Sequence, residues 1–313
     1  MKNNPIIVTP VYEDVQSAEK LIEDLNKILE NNYFLVAVDD GSLNEPFEIN
    51  TLKKLGTKGV VLKLIKNVGH QKAIAIGLQY VANEISWAQE VIVMDSDGED
   101  KPINVKGLLE GLKKDKIDIV VAERSRRSES MGFVLFYKIY KAIFRVFTGR
   151  TINFGNFMAI KIEALNRIVN MPELWTHLAA TTLYSKLRIT GLESDRGIRY
   201  FGQSKHNFIS FALHGFKALM IFSEEVLVRV GVACALIASF ALLGSMIAIA
   251  LKFVGIATPG WFSVVMGIFI LVFLQTGTLT LISLLLNGIV RNNVQQNFFY
   301  KDFLDEVFPS NQE

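Results

Sequence analysis

Val91-Ile92-Val93-Met94-Asp95-Ser96-Asp97-Gly98-Glu99-Asp100 joins an apolar run to four carboxylates within six residues. The run is short and ends in a glycine-containing polar turn, which predicts a strand buried on both faces. In an open α/β sheet, ligands bind beyond the carboxyl ends of the strands. Asp95 and Asp97, one residue apart at such an end, can hold a divalent cation against a diphosphate through oxygen ligands. The same string also suits a solvated strand-to-helix turn with aspartate as a cap.

Earlier runs end the same way. Phe34-Leu35-Val36-Ala37-Val38 leads into Asp39-Asp40-Gly41-Ser42, and Ile6-Ile7-Val8 leads into Thr9-Pro10-Val11-Tyr12-Glu13-Asp14. Gly41 permits a sharp exit from its strand. Between the runs, Val15 to Glu30 places Ala18, Leu21, Ile22, Leu25, Ile28 and Leu29 at helical spacing, and Gln71 to Asn83 repeats the pattern. A further run, Ile117 to Ala122, precedes Arg124, Arg126 and Arg127. Strands alternating with helices predict an α/β domain with a mostly parallel sheet, covered on both faces, whose site lies along one edge.

Half of the chain is hydrophobic, and the excess lies toward the C-terminus. Val230 to Leu251 and Trp261 to Gly288 carry no charge. Each exceeds the ~20 residues that cross a hydrocarbon core, and neither shows a polar face, which speaks against core helices of a soluble protein. The connector Lys252 to Gly260, with Gly255, Pro259 and Gly260, is too short for a domain and predicts a two-helix transmembrane hairpin. The N-terminal domain and the tail then share one side of the membrane. The expected organisation is an α/β domain over 1–205, an amphipathic juxtamembrane helix over 206–229, spans at 230–251 and 261–288 within 230–288, and a tail over 289–313. Phe133, Phe136, Tyr137, Tyr140, Phe144 and Phe147 recur at helical spacing beside Lys138, Lys141 and Arg145. That helix either lies in the headgroup layer or packs its aromatic stripe on the domain. Arg229 and Arg291 on the domain side, against Lys252 on the far side, favour a cytoplasmic domain and tail in a multi-pass protein of the cytoplasmic (inner) membrane. No signal peptide precedes Ile6, in line with that orientation.

A net charge of +2 gives no reason to expect nucleic acid as a partner. The single cysteine, Cys234, falls in an expected span, which excludes an intramolecular disulfide framework and cysteine zinc clusters. His70, His177, His206 and His214 are too widely spaced for a zincin motif. Neither a G-x-S-x-G elbow, nor a P-loop, nor G-x-G-x-x-G occurs, so hydrolase, nucleoside triphosphatase and dehydrogenase readings lose their main support.

Thr9-Pro10-Val11-Tyr12, Val38-Asp39-Asp40-Gly41-Ser42, Asn67-Val68-Gly69-His70-Gln71-Lys72-Ala73, Asp95-Ser96-Asp97 and Arg199-Tyr200-Phe201-Gly202-Gln203-Ser204-Lys205 occur in this order. The set resembles family 2 glycosyltransferases, and within them the polyprenyl-phosphate branch of dolichol-phosphate mannose synthases and bacterial undecaprenyl-phosphate sugar transferases. The resemblance implies a GT-A fold, a nucleotide-sugar donor (UDP favoured over GDP) and a polyprenyl-phosphate acceptor, undecaprenyl phosphate by analogy. It also makes a homo-oligomer plausible. Pro10, Tyr12, Asp14 and Asp40 would take the base and ribose, with Asp39, Asn67, Asp95 and Ser96 in the same nucleotide-sugar site. Asp95, Asp97 and Glu99 would hold Mg²⁺ or Mn²⁺, and Asp97, Arg124, Arg127 and Lys205 would form the catalytic set. Arg124, Arg127, Arg199, Ser204 and Lys205 would bind the lipid phosphate.

The chain departs from the pattern at three places. Glu99 stands where many relatives have Gln, Glu13-Asp14 replaces Asn-Glu after the tyrosine, and Ile152-Asn153-Phe154-Gly155-Asn156-Phe157 replaces an Asp-containing stretch. An acceptor phosphate is anionic near neutral pH, with a second pKa of ~6, so no strong base is needed for its oxygen to displace the nucleoside diphosphate with inversion. Two other readings remain. One is a membrane glycosyltransferase with a different lipid or polysaccharide acceptor, although Q-x-x-R-W is absent. The other is a non-catalytic scaffold or flippase subunit.

Overall fold

The apolar runs form the central strands of one sheet. The computed structural model describes residues 4–124, 131–202, 208–256, 260–293 and 299–310. Its strands are β1 (Ile6–Val11), β2 (Phe34–Asp39), β3 (Gly59–Leu64), β4 (Glu90–Val93), β5 (Ile119–Arg124), β6 (Phe154–Lys161), β7 (Ile189–Ser194) and β8 (Leu304–Pro309). Its helices are α1 (Val15–Leu29), α2 (Ile49–Lys54), α3 (His70–Glu84), α4 (Asn104–Leu112), α5 (Met131–Thr148), α6 (Ile162–Ile168), α7 (Leu178–Tyr184), α8 (Phe208–Ile221), α9 (Ser223–Phe253) and α10 (Trp261–Asn293). The spatial strand order is β7-β5-β6-β4-β1-β2-β3-β8.

Pairing direction decides what meets at the functional edge. β3, β2, β1 and β4 run parallel. β6 is antiparallel to both β4 and β5, and β5 is parallel to β7. β5 and β7 therefore point the same way as β4, and the loop entering β6 arrives at the same edge. Residues after β1, β2, β3, β4, β5 and β7, and those before β6, converge along one border.

Period-two alternation divides the core between the two faces of the sheet. Ile6 and Val8 pack with Ala73, Ile74 and Leu78 of α3, and Ile7 and Val11 pack with Leu21, Ile22 and Leu25 of α1. Gly77 lets α3 approach closely, since a Cβ there would lie 2.6 Å from Val8 Cγ1 and 2.9 Å from Val38 Cγ2. α1 begins at Asp14, whose side chain accepts a hydrogen bond from the Ser17 N–H at 3.2 Å.

The chain divides into two compact units, Met1–Lys141 with Thr151–Ile221 and Gln296–Glu313, and Ala142–Arg150 with Phe222–Gln295. The first unit contains the sheet. It also holds β8, which pairs antiparallel with β3 (Leu62 opposite Val307) and is anchored by Gly59 N–H donating to Ser310 Oγ at 2.9 Å. A strand within the expected tail was not anticipated. Its partner lies some 245 residues earlier, judging from Leu62 and Val307, and short mixed strings such as Leu304-Asp305-Glu306-Val307-Phe308-Pro309 carry little periodic signal.

The second unit contains α9 and α10, both long and apolar enough to cross a membrane, with 6% and 0% of their most apolar windows buried. α9 starts at Ser223, so the single helix expected over 206–229 is instead α8 and the first turns of α9. The break at Phe222 has a local cause. That ring is fully buried and meets Phe144 edge-on at 5.6 Å, and Glu224 and Glu225 follow in the first turn of α9, where carboxylates complement the helix dipole. Arg150 stacks over the Phe222 ring at 5.0 Å and reaches Glu225 at 3.8 Å. A Cβ on Gly244 of α9 would lie 2.4 Å from the Phe269 ring of α10, so the two helices meet closely there. α10 runs on to Asn293, beyond the expected limit at Gly288.

Candidate active site

The acidic turn after β4 is stapled from several sides. Asp95 N–H donates to Asp100 Oδ2 at 2.9 Å, Ser96 Oγ donates to the Pro10 carbonyl at 3.1 Å, and Glu99 N–H donates to Asp97 Oδ1 at 2.9 Å. Gly98 turns at φ 88°, a conformation glycine adopts without strain. Asp95 and Asp97 thus leave the strand end fixed by neighbouring backbone. Burial, reinforced by the charge of Asp95, pushes the Asp97 carboxyl up to about 6, against the opposing pull of the Glu99 N–H and Arg199. Such crowding of like charge is what a bound cation relieves.

A second segment crosses this turn. Arg199 Nη2 lies 2.7 Å from Asp97 Oδ2, and its Nε donates to Glu99 Oε1 at 3.2 Å. Arg196 Nη2 forms a short ion pair with Glu99 Oε2. Tyr200 N–H donates to the Asp97 carbonyl at 2.9 Å, and Tyr200 hydroxyl donates to Asp24 Oδ2 at 3.0 Å. A small open cleft beside the turn is lined by Glu99, Asp100, Ala122, Gly155, Phe157, Ser194, Asp195 and Arg196.

His70, at the start of α3, brings a third element to the turn. Its Nε2 lies 3.2 Å from Asp95 Oδ1 and 3.1 Å from Asn156 Nδ2. The surrounding protein would lower the basicity of this ring, but the charges of Asp95, Asp100 and Asp97 outweigh it and raise the pKa above its ordinary value. The ring is hemmed by protein on several sides and still keeps 43% of its side chain open to solvent.

The loops expected to bind base and ribose are built around buried carboxylates. Asp39, fully buried, accepts from Ser42 N–H and Phe47 N–H, each at 3.0 Å. Asp40 accepts from Val68 N–H at 2.7 Å and Gly69 N–H at 3.0 Å; burial pushes its carboxyl up to about 6 while those two donors act in the other direction. Gly41, at φ 69°, fits where a Cβ would come 2.5 Å from the Lys66 carbonyl carbon. Glu13, itself at φ 47°, accepts from the N–H groups of Leu43 at 2.7 Å, Asn44 at 3.1 Å and Glu45 at 2.9 Å, and these, the Leu43 bond foremost, hold its carboxyl below the usual range. Tyr12 stands 46% exposed beside this loop, and Asn67 is exposed on the loop after β3.

The edge therefore brings together Pro10, Tyr12, Asp39, Asp40, Asn67, Asp95, Ser96, Asp97, Glu99 and Arg199. Asp14 serves α1 as its cap, and Arg124 ends β5 at the same border. Arg126, Arg127, Ser204 and Lys205 lie outside the described residues. His70, Asn156 and Arg196 received no role from the sequence. The first follows directly from parallel pairing, since β3 ends at the same edge as β4 and any residue opening α3 must fall there.

Among the described residues, no group of three or more His, Cys, Asp or Glu side chains converges as a self-contained metal site. Asp95 and Asp97 fit a hard cation that completes its shell with substrate phosphate oxygens and water, the usual arrangement for Mg²⁺ and related ions. Glu99, expected as a third ligand, has its carboxylate engaged by two guanidiniums.

An eight-stranded, mostly parallel mixed sheet with this turn at its carboxyl edge is a GT-A-like fold, and the protein is a glycosyltransferase. The chain belongs to glycosyl transferase family 2, whose model matches residues 6–169. An uncharacterized glycosyltransferase of Synechocystis sp. is 25% identical over 283 residues, covering 85% of this chain and 84% of its own. The undecaprenyl-phosphate 4-deoxy-4-formamido-L-arabinose transferase of Yersinia enterocolitica is 23% identical over 210 residues, covering 65% of this chain and 62% of its own. Glucosyl-3-phosphoglycerate synthase from Mycobacterium tuberculosis, crystallised with Mn²⁺, UDP and glucosyl-3-phosphoglycerate, matches in fold with a TM-score of 0.51 at 14% identity, over 71% of this chain and 80% of its own.

Proposed function

We propose that this glycosyltransferase moves a sugar from a nucleotide diphosphate sugar, UDP-linked in preference to GDP-linked, to a polyprenyl phosphate such as undecaprenyl phosphate. The observation that carries the lipid acceptor is the pair of unburied apolar helices, α9 and α10, inserted between two parts of one sheet domain. The return of β8 to that sheet after the helices supports a reading in which the chain crosses an even number of times and both of its soluble parts lie on one side. Arg229 and Arg291 against Lys252 favour the cytoplasmic side. The Yersinia relative, named for an undecaprenyl-phosphate acceptor, supports the same reading.

In this mechanism Tyr12 and the loop held by Asp39 and Glu13 receive the nucleoside, and Asp95 and Asp97 would hold the divalent cation, Mg²⁺ or Mn²⁺. When bound, that cation supplies charge neutralisation on the leaving diphosphate. Arg199, expected at the lipid phosphate, lies instead beside Asp97, where it would add hydrogen-bond donors to the same diphosphate oxygens. The acceptor phosphate oxygen forms the new bond to the anomeric carbon on the face opposite the departing diphosphate, inverting the configuration. Its proton is already lost near neutral pH, given a second pKa of ~6, so no side chain need act as a strong base. Arg124, Arg127, Ser204 and Lys205 are assigned to the acceptor phosphate. Membrane anchoring raises the effective concentration of a lipid acceptor for the site.

The test is transfer of labelled sugar from a panel of UDP- and GDP-sugars to undecaprenyl phosphate, with Mg²⁺ or Mn²⁺. An acid-labile lipid product is expected, and Asp97→Asn should reduce its formation by about 100-fold or more, as loss of transition-state charge stabilisation does. Transfer only to diacylglycerol or polysaccharide would overturn the acceptor assignment, and full activity of a folded Asp97→Asn protein would overturn the metal assignment.

A further inference from the structure

The nucleotide-sugar reading made Glu99 a metal ligand, but the two guanidiniums on its carboxylate point to a role other than metal binding. We propose that Glu99 is a positioning residue: with Arg196 it locks the segment after β7 across the acidic turn, and so holds Arg199 on Asp97 beside the donor diphosphate. The proposal rests on the reading of this edge as a nucleotide-sugar site.

Both carboxylate oxygens of Glu99 are occupied, Oε2 by Arg196 Nη2 and Oε1 by Arg199 Nε at 3.2 Å. The main chain follows suit, with Gly197 N–H donating to the Glu99 carbonyl at 2.8 Å and Tyr200 N–H to the Asp97 carbonyl at 2.9 Å. Contact is tight enough to require glycine on each side: a Cβ at Gly197 would lie 2.1 Å from the Gly98 oxygen, and one at Gly98 would lie 2.8 Å from the Tyr200 ring. Tyr200 hydroxyl on Asp24 ties the far end of the strap to α1.

Charge explains why the residue is Glu. A glutamine at 99 offers one acceptor oxygen, and two guanidiniums approach this position. The carboxylate accepts from both and offsets one of the two positive charges, while Asp97 faces the other. Arg199 uses Nε on Glu99 and Nη2 on Asp97, which leaves further N–H donors of its fork for a phosphate oxygen. Glu99 and Arg196 thus act as one unit whose output is the placement of Arg199.

The test uses the full chain in detergent micelles, with Glu99→Gln, Arg196→Ala, the double variant, and Arg196→Lys as a conservative replacement. Steady-state donor kinetics, Mn²⁺ affinity by electron paramagnetic resonance without nucleotide, and thermal unfolding are measured on each. Glu99→Gln and Arg196→Ala should each lower kcat by about tenfold, the double variant should be no worse than either single one because coupled residues are not additive, and Arg196→Lys should recover part of the loss. Mn²⁺ affinity should stay within about threefold of wild type in all of them, since Asp95 and Asp97, the carboxylates that would hold the ion, are intact in each. A tenfold loss of Mn²⁺ affinity in Glu99→Gln, with Arg196→Ala unchanged in kinetics, would overturn the proposal and make Glu99 a ligand. Multiplicative kinetic losses in the double variant would also overturn it. Failure of the wild-type chain to bind Mn²⁺ with UDP would instead refute the nucleotide-sugar reading, and the unfolding midpoints of the same variants would still report whether Glu99 and Arg196 are coupled.

Discussion

Lowering the pH from 7.5 to 5.5 should loosen α7 by about tenfold through a single histidine. His177 is 4% exposed, and its Nδ1 accepts a hydrogen bond from the Ala180 N–H at 3.3 Å, so the ring caps the helix in its neutral form. The His214 ring of α8 lies 4.2 Å away, centroid to centroid, and Lys217 adds a further positive charge nearby. Burial, then the His214 charge, pushes the His177 pKa down to about 3 from 6.5. The folded value lies below the unfolded one, so the stabilisation is fully present above pH ~6.5 and is lost as pH falls toward ~3. The gap between 6.5 and about 3 corresponds to roughly 5 kcal/mol when complete, at ~1.4 kcal/mol per pH unit. Between pH 7.5 and 5.5 only the first ~1.4 kcal/mol is lost, a tenfold rise in the opening equilibrium.

Hydrogen exchange reads this directly, once the intrinsic pH dependence of amide exchange is removed. The Thr181 N–H bonds to the His177 carbonyl and the Ser185 N–H to the Thr181 carbonyl, so both amides report opening of α7. His177→Asn retains a side-chain acceptor at the cap and has no group that titrates in this range. Its protection should be flat where that of wild type falls. If wild type and His177→Asn lose protection equally between pH 7.5 and 5.5, the attribution to His177 is refuted.

Three other perturbations follow from the same geometry. Gly77→Ala should lower stability by about 1–3 kcal/mol, reversing the usual helix preference for alanine, because the new methyl overlaps Val8 and Val38; thermal unfolding in detergent measures it. Glu13→Ala frees three backbone N–H groups of the loop beside Tyr12 and should raise the donor KM by about tenfold with little change in kcat, equivalent to ~1.4 kcal/mol of binding. Ending the chain after Phe303 removes β8 and bares the edge of β3, so size-exclusion chromatography should show self-association beyond that of the full chain.

What could be read from the sequence was whatever a short window contains. The apolar runs at Ile6, Phe34 and Val91 became β1, β2 and β4, the helical spacing from Val15 became α1, and the uncharged stretches became the bodies of α9 and α10. Residues placed by long-range pairing escaped. β6 and β8 are antiparallel additions to an otherwise parallel sheet, and nothing local distinguishes their strings from loops. The site divides along the same line. Asp95 and Asp97 stand out because the chemistry is packed into three residues, whereas His70 and Arg196 reach the turn, and Asn156 reaches His70, from separate elements through the strand order alone. Asp14, Asp39 and Asp40 carry a further lesson. A carboxylate at the end of a strand faces exposed backbone N–H groups of the loop that follows, and satisfying those donors is a demand as strong as ligand binding. In this chain Asp14 caps α1, while Asp39 and Asp40 tie the loops beyond β2 and β3 into position. Their effect on a nucleotide would pass through loop shape, so replacing Asp39 should move donor KM together with the exchange rates of the Ser42 and Phe47 amides, whereas a residue gripping ribose directly would move KM alone.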